Sequence, residues 1–470
     1  MKKKIIEFKN VAFSYMDKDD YALRDVNFSI EEGSLVFISG KSGSGKSTLL
    51  NLLNGIIPEV IEGQLEGQIL IDGKENLDVS DRSLILGNVF QNPRSQFFTT
   101  DTTAELVFAL ENYGVEREAI KKRLDSIIGE YNVDYLRDRS LFEISSGERQ
   151  LIALLTVLIM DPKVIIFDEP SANLDYGNSM RLRRQIIDLK AEGKTIIVAD
   201  HRNFYLKGII DKVLLVEDKT VKSFGSEQDF LKGDYKNRSF DIFAGDYGRV
   251  KKLGPGQGGV TIEGLSYKDI IRDLSIQFEE NEVTSIVGVN GVGKTTLAEL
   301  ISRSLKPEKG KIQVEGQAMY LMQDADFQLF GSSCLKELEL AQKDEAINIE
   351  ALKSLDIDML KDKHPQSLSG GEKQRLQMAI ARVSGNKVVI LDEPTSGLDK
   401  SSMERVCSMI ETLKESRTII VISHDYEFIR RVSDSVAYLS DGQIREKFKL
   451  NEDNVEKLNS IYKEMEVHYE

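Results

Sequence analysis

The chain is short of cysteine, of long apolar runs and of net positive charge. Its 470 residues include two cysteines, Cys334 and Cys407, and neither belongs to a CxxC pair. A disulfide framework and a zinc ribbon are excluded on that count, and a reducing compartment is expected. No stretch approaches the ~20 consecutive apolar residues of a membrane helix. Met1 to Phe8 also lack the apolar core of a signal peptide. The sequence therefore predicts no direct membrane insertion, leaving any membrane role to a partner. With 62 basic and 77 acidic side chains, the net charge of −15 disfavours nucleic acid as a partner. Hydrophobic residues make up 41%, enough for two or three domains with real cores and too many for a disordered chain.

What the chain does have is an internal repeat. GKSGSGKST, SSGERQ, VIIFDEPSANLD and TIIVADH recur in the same order as GVNGVGKTT, SGGEKQ, VVILDEPTSGLD and TIIVISH. Asp168 and Asp392 are 224 positions apart and His201 and His424 are 223 apart, whereas Lys46 and Lys294 are 248 apart. The extra residues of the first half thus lie upstream, mainly between Gly55 and Gln91. Periodicity fades from about Gly233, and Leu-Gly-Pro-Gly-Gln-Gly-Gly at 253–259 cannot hold a helix or a central strand. This predicts one domain over 1–232, a linker over 233–258 and a second domain over 259–470.

Short runs rich in Val and Ile (Leu35–Ser39, Lys163–Phe167, Thr195–Ala199; Val283–Val287, Lys387–Leu391, Thr418–Ser423) alternate with helical patterns. Such runs predict an α/β fold in each half, with a mostly parallel sheet buried on both faces. Residues 454–467 carry Val455, Leu458, Ile461 and Met465 at helical spacing, which suits core packing or a subunit contact equally.

Gly40-Lys41-Ser42-Gly43-Ser44-Gly45-Lys46-Ser47-Thr48 and Gly288-Val289-Asn290-Gly291-Val292-Gly293-Lys294-Thr295-Thr296 each fit G-x-x-x-x-G-K-[ST] between an apolar strand and an amphipathic helix. Glycines let successive backbone N–H groups curve around phosphate, and the helix N-terminus adds a favourable field. ATP is the expected ligand. Lys46 and Lys294 would bridge its outer phosphates, and Ser47 and Thr295 would ligate Mg2+. Asp168-Glu169-Pro170 and Asp392-Glu393-Pro394 end buried strands, so both pairs fall at the carboxyl edge of a sheet, where open α/β folds bind ligands. Asp168 and Asp392 suit metal coordination, Glu169 and Glu393 the positioning or deprotonation of water. His201 and His424 follow matching strands and could reach a terminal phosphate oxygen; His364 and His468 have no counterpart and read as surface residues.

These residues resemble the ATP-binding cassette superfamily, and the likeness spans nearly the whole chain twice. It includes the signature segments Ile144-Ser145-Ser146-Gly147-Glu148-Arg149-Gln150 and Leu368-Ser369-Gly370-Gly371-Glu372-Lys373-Gln374. The resemblance implies two tandem cassettes, each with an antiparallel β part and a helical subdomain. It implies that each signature completes the other cassette's site. Lys46, Gln91, Asp168, Glu169 and His201 would work with Ser369, Gly370, Gly371 and Glu372; Lys294, Gln323, Asp392, Glu393 and His424 would work with Ser145, Gly147 and Glu148. By the same likeness Gln91 and Gln323 join the metal and catalytic groups, Tyr15 and Tyr267 stack on adenine, and Asp175 and Asp399 couple the two sites. Ser146 stands where the family has its first signature glycine, which predicts slower turnover at the second site.

The segments Gln91-Asn92-Pro93-Arg94-Ser95-Gln96-Phe97-Phe98 and Gln323-Asp324-Ala325-Asp326-Phe327-Gln328-Leu329-Phe330 are similar to the glutamine-loop helix of energy-coupling factor importers. That likeness implies an ATPase subunit on the cytoplasmic face of the membrane, with a transmembrane coupling subunit and a substrate-capturing membrane protein as partners. The cargo would be a vitamin, a vitamin precursor or a metal, and Asp326 would pair with a partner arginine. Both cassettes lie in one chain, so no further oligomer is required. A soluble double-cassette ATPase acting on ribosomes is one alternative, disfavoured by the short glycine-rich joint; an ATP-sensing scaffold is another.

Overall fold

The computed structural model describes residues 3–16, 20–90, 96–144, 146–233, 235, 239–245, 247 and 258–467. The chain divides into two compact units, Met1–Leu174 with Ser179–Phe240 and Asp175–Asn178 with Asp241–Glu470. The division between Phe240 and Asp241 falls within the stretch 233–258 expected as linker.

In the first unit the strands run, in sheet order, Leu86–Val89, Val164–Asp168, Thr195–Ala199, Leu35–Gly40, Lys212–Glu217 and Thr220–Phe224. Neighbours are parallel except for the last pair. Thr195–Ala199 is buried along its whole length, as a strand of Thr, Ile, Val and Ala covered on both faces must be. One face packs under an antiparallel sheet of Leu23–Glu31, Lys4–Tyr15 and Gly63–Ile71, which contributes Phe8, Phe13 and Ile30 to the core. Helices Thr102–Asn112, Arg117–Glu130 and Ser146–Leu158 gather a separate apolar cluster around Leu110, Ile128, Ile152 and Leu155.

The second unit repeats this plan. Its sheet runs Ala318–Leu321, Val388–Asp392, Thr418–Ile422, Val283–Val287, Ser435–Ser440 and Gln443–Lys449, again parallel but for the last pair. Strands Ile271–Glu279, Gly259–Tyr267 and Lys309–Val314 form its antiparallel layer. Here the helical part, centred on Gly370–Val383, shares one continuous core with the sheet: Leu376 and Ala379 pack in the same cluster as Val389, Leu391 and Val421. The tail forms the helix Val455–Val467 and buries Leu458, Ile461, Tyr462 and Met465, with Tyr462 edge-on to Tyr426 and its hydroxyl donating to the His424 carbonyl at 3.1 Å. Each fold is the expected α/β cassette, and the six strands read from sequence lie within one residue of their observed ends.

Candidate active sites

Strand order assembles the site. The strand that feeds each phosphate loop lies beside the histidine strand, which in turn lies beside the acid strand. Because the three are parallel, the loop, the histidine and the acids emerge at one carboxyl edge. In the first loop a Cβ on Gly40 would come within 2.6 Å of the Val216 carbonyl, and on Gly288 within 2.3 Å of the Leu439 carbonyl. Glycine is required there by the adjacent strand. Gly45 and Gly293 sit just before their helices at φ 108° and 104°, a left-handed backbone that glycine adopts without strain.

Both loop lysines are buried and fold back on their own loops. Lys46 Nζ donates to the Gly40 and Lys41 carbonyls at 2.7 and 3.0 Å. Lys294 Nζ does the same to Gly288 and Val289, at 2.9 and 2.8 Å. Burial pushes the Lys294 ammonium down to about 8, against the pull of Glu393, Asp175 and Asp392. Asp175 groups with the second unit, where its carboxylate accepts the Asn290 N–H at 2.8 Å, inside the phosphate loop, and the Asn178 N–H at 2.8 Å. Asp399 caps the helix Lys400–Leu413 through the Ser402 N–H.

The acids and histidines meet as expected. His201 Nε2 lies 3.4 Å from Glu169 Oε1, and His424 Nε2 lies 3.5 Å from Glu393 Oε1. Both glutamates have left-handed backbones, φ 46° and 49°, and each N–H continues the sheet by donating to the neighbouring histidine strand, at Ala199 and Ile422. A non-glycine residue held there costs on the order of 1–3 kcal/mol, a strain typical of functional positions. Burial first, then the charges of Glu169 and Asp200, push Asp168 up to about 6. Burial raises Asp392 too, but hydroxyls from Tyr320 at 2.8 Å and Thr295 at 3.0 Å donate to its Oδ2 and oppose the rise. Gln323 shares a cleft with Asp392, Glu393, Gln374 and Gln377.

The tyrosines end the first strands of the antiparallel layers. Tyr15 shares a hydrogen bond with the Thr48 hydroxyl at 2.8 Å, and Lys268 Nζ sits 5.2 Å from the Tyr267 ring centre. Ser369 and Glu372 form a reciprocal cap on the signature helix, where Ser369 and Gly370 are exposed and Gly371 to Lys373 half-buried. A Cβ at Gly370, the counterpart of Ser146, would meet nothing within 4 Å, so a side chain at this position is accommodated within the cassette. Gln150 and Gln374 tie the signature helices to the Pro170 and Ser396 carbonyls just past the acids. Asp326, half-exposed, forms an ion pair with Lys373 of the signature helix. His364 is exposed, as expected. Gln91 with residues 92–95, Ser145 and His468 lie outside the described residues.

Sequence reading missed three groups. Asp200 is buried beside His201 and accepts the Ser171 N–H and the Tyr205 hydroxyl; in the second half Asp425, on the other side of the histidine, accepts the Thr395 hydroxyl. Gln96 and Gln328 look inward: Gln328 accepts the Met322 N–H and donates to the Tyr320 carbonyl, while Gln96 accepts the Phe90 N–H. Tyr320 is the third, and only strand register could have found it.

The residues fit magnesium and a polyphosphate. Ser44 Oγ in the first loop is buried without a hydrogen-bond partner among the described residues, and both strand-end aspartates are held above the ordinary carboxylate range. The candidate donors are hydroxyl, amide and carboxylate oxygens, and no cage of three His, Cys, Asp or Glu side chains occurs among the described residues. Such a sparse oxygen set matches magnesium, which keeps waters and substrate phosphates as ligands.

Comparison with known proteins agrees with this chemistry. The ABC transporter family matches residues 23–172 and 271–396. A Treponema denticola protein, provisionally named an ABC transporter ATP-binding protein, is 37% identical over 479 residues, covering 94% of this chain and 96% of its own. A Bacillus subtilis protein, provisionally named HMP/thiamine import ATP-binding protein YkoD, is 27% identical, covering 93% and 90%. At the level of fold, a chain from ribosome-bound archaeal Pelota and ABCE1 matches 96% of this chain and 80% of its own, with TM-score 0.71 and 22% identity. The chain belongs to the ABC transporter family and is an ATPase built of two tandem ATP-binding cassettes.

Proposed function

We propose that this chain is the ATP-hydrolysing subunit of a membrane importer of the energy-coupling factor type, taking up a vitamin, a vitamin precursor or a metal. The observation that carries the reading is the exposed aromatic surface after the glutamine loop. Phe327 and Phe330 are 65% and 77% exposed, and in the first unit Phe98 is 75% exposed and stacked on Phe108. Large apolar side chains left in water at matching places in both units mark a surface meant for a partner. Among the described residues no helix is long and apolar enough to cross a membrane. In the proposed reading the partner supplies the spans and this chain binds peripherally from the cytoplasm. The printed name of the Bacillus subtilis relative, an HMP/thiamine import protein, supports a vitamin-precursor cargo.

In this reading ATP is held twice. Lys46 and Lys294 turn from their loop carbonyls to the outer phosphates, and the loop N–H groups cradle them. Ser47 or Thr295, Asp168 or Asp392, and Gln91 or Gln323 would hold magnesium, which when bound neutralises charge on the phosphates. The first turn of each signature helix, Ser369 to Glu372 in one half and Ser145, Gly147 and Glu148 in the other, would receive the triphosphate bound by the opposite cassette. Because these contacts form only when the cassettes close, ATP favours closure. Glu169 or Glu393, braced by its histidine, orients water toward the terminal phosphorus. The new P–O bond forms as the bond to the ADP oxygen breaks, the electron pair leaves with ADP, and the water proton passes to the carboxylate. Loss of phosphate reopens the halves, and the glutamine-loop regions carry that motion to the membrane partner.

A membrane-flotation assay tests the assignment. The chain should float with membranes, and Phe327→Asp with Phe330→Asp should leave it in the soluble fraction while retaining ATP hydrolysis. Sedimentation with ribosomes and none with membranes would overturn the reading.

A further inference from the structure

The strands Ala318–Leu321 and Leu86–Val89 occupy the same edge of the two sheets, each beside an acid-bearing strand. Register pairs Tyr320 with Ile390 and Asn88 with Ile166, each two residues before the strand-end aspartate. The two positions correspond, yet their chemistry differs. Tyr320 donates its hydroxyl to Asp392 Oδ2 at 2.8 Å, and the Thr295 hydroxyl reaches the same oxygen at 3.0 Å. Gln328 in turn fixes this segment, donating to the Tyr320 carbonyl at 2.7 Å and accepting the Met322 N–H at 2.8 Å. Gln96 sends its amide elsewhere, to the Ala153 carbonyl at 2.9 Å and the Thr156 hydroxyl at 3.0 Å. Asp168 accepts no hydrogen bond from the described residues, and the charges around it are Glu169, Asp200 and Lys46.

We propose that Tyr320 is a positioning residue for the divalent cation of the second cassette, and that the two ATP sites therefore differ in cation affinity, the second being tighter. The inference rests on the assignment of Asp392 to the metal. A carboxylate offers about four lone-pair sites, so two donors on Oδ2 fix its orientation and leave Oδ1 available. Partners of this kind typically govern 10–100-fold in metal affinity. In the first cassette Asn88 stands at the tyrosine's position and supplies no hydroxyl.

The test is Mn2+ binding to the full chain with a non-hydrolysable ATP analogue, followed by electron paramagnetic resonance. The wild type should show two affinity classes. Tyr320→Phe should weaken the tighter class by about 10-fold, leave the other unchanged, and leave ATP affinity in EDTA unchanged. Asn88→Tyr should tighten the weaker class. A single class in the wild type, or unchanged Mn2+ binding in Tyr320→Phe while Asp392→Asn removes one class, would overturn the role of Tyr320. Unchanged binding in Asp392→Asn would instead overturn the metal assignment on which it rests.

Discussion

Asp168 and Asp392 end corresponding strands, but Asp392 is buried and accepts two hydroxyl donors, whereas Asp168 is half-buried beside Glu169 and Asp200. Glu393 likewise accepts the Ser423 hydroxyl at 3.2 Å, while the position of Ser423 is taken in the first half by the acid Asp200. The motif residues are the same in both halves; the electrostatic settings are not. Duplication preserved what the chemistry requires and let the surrounding shell diverge. The lesson is that equivalence of motifs does not establish equivalence of sites.

The largest expected effect treats the halves alike. Glu169→Gln with Glu393→Gln should cut phosphate release by at least about 100-fold, the scale of a lost general base, while equilibrium binding of ATP persists. Undiminished hydrolysis would remove both glutamates from the mechanism. The single variants then reveal whether the halves contribute equally to turnover.

A smaller effect should separate them. Asp168 has a folded-state pKa of about 6, above its ordinary 3.8, so its stability contribution is fully present below pH 4 and is lost as pH rises through 6. In the presence of a chelator, Asp168→Asn should raise unfolding stability by about 2 kcal/mol at pH 8 and by almost nothing near pH 4. Asp392→Asn should gain less, because the Tyr320 and Thr295 hydroxyls already offset part of the burial penalty on its carboxylate. Equal gains measured by denaturant unfolding would break the comparison.

The smallest effect concerns the signature turn. Gly370→Ser copies the first half's residue into open space, so thermal stability should change by less than about 0.5 kcal/mol. A large loss would show that the two turns differ in backbone as well as side chain.

Much of this was legible in the sequence because it is local. Val- and Ile-rich runs gave strands, the glycine spacing gave the loops, and repetition in order lifted the acid pairs and histidines above chance. The groups that escaped depend on register between distant segments. Nothing near Tyr320 in sequence points to Asp392, and Asp200 and Asp425 exchange sides of the histidine, so aligned halves hide their common role. The ion pair of Asp326 with Lys373, 47 residues away, was likewise invisible in the sequence. The left-handed glutamates carry no composition signal at all.

The proposed mechanism requires each half to finish the pocket of the other when ATP is bound. Lys41→Cys with Ser367→Cys, in the Glu169→Gln, Glu393→Gln background, tests that directly, since Cys334 and Cys407 are buried and compete little. An intramolecular crosslink that forms with ATP and not without it is the predicted result; no crosslink in ATP, or equal yield without nucleotide, would contradict it.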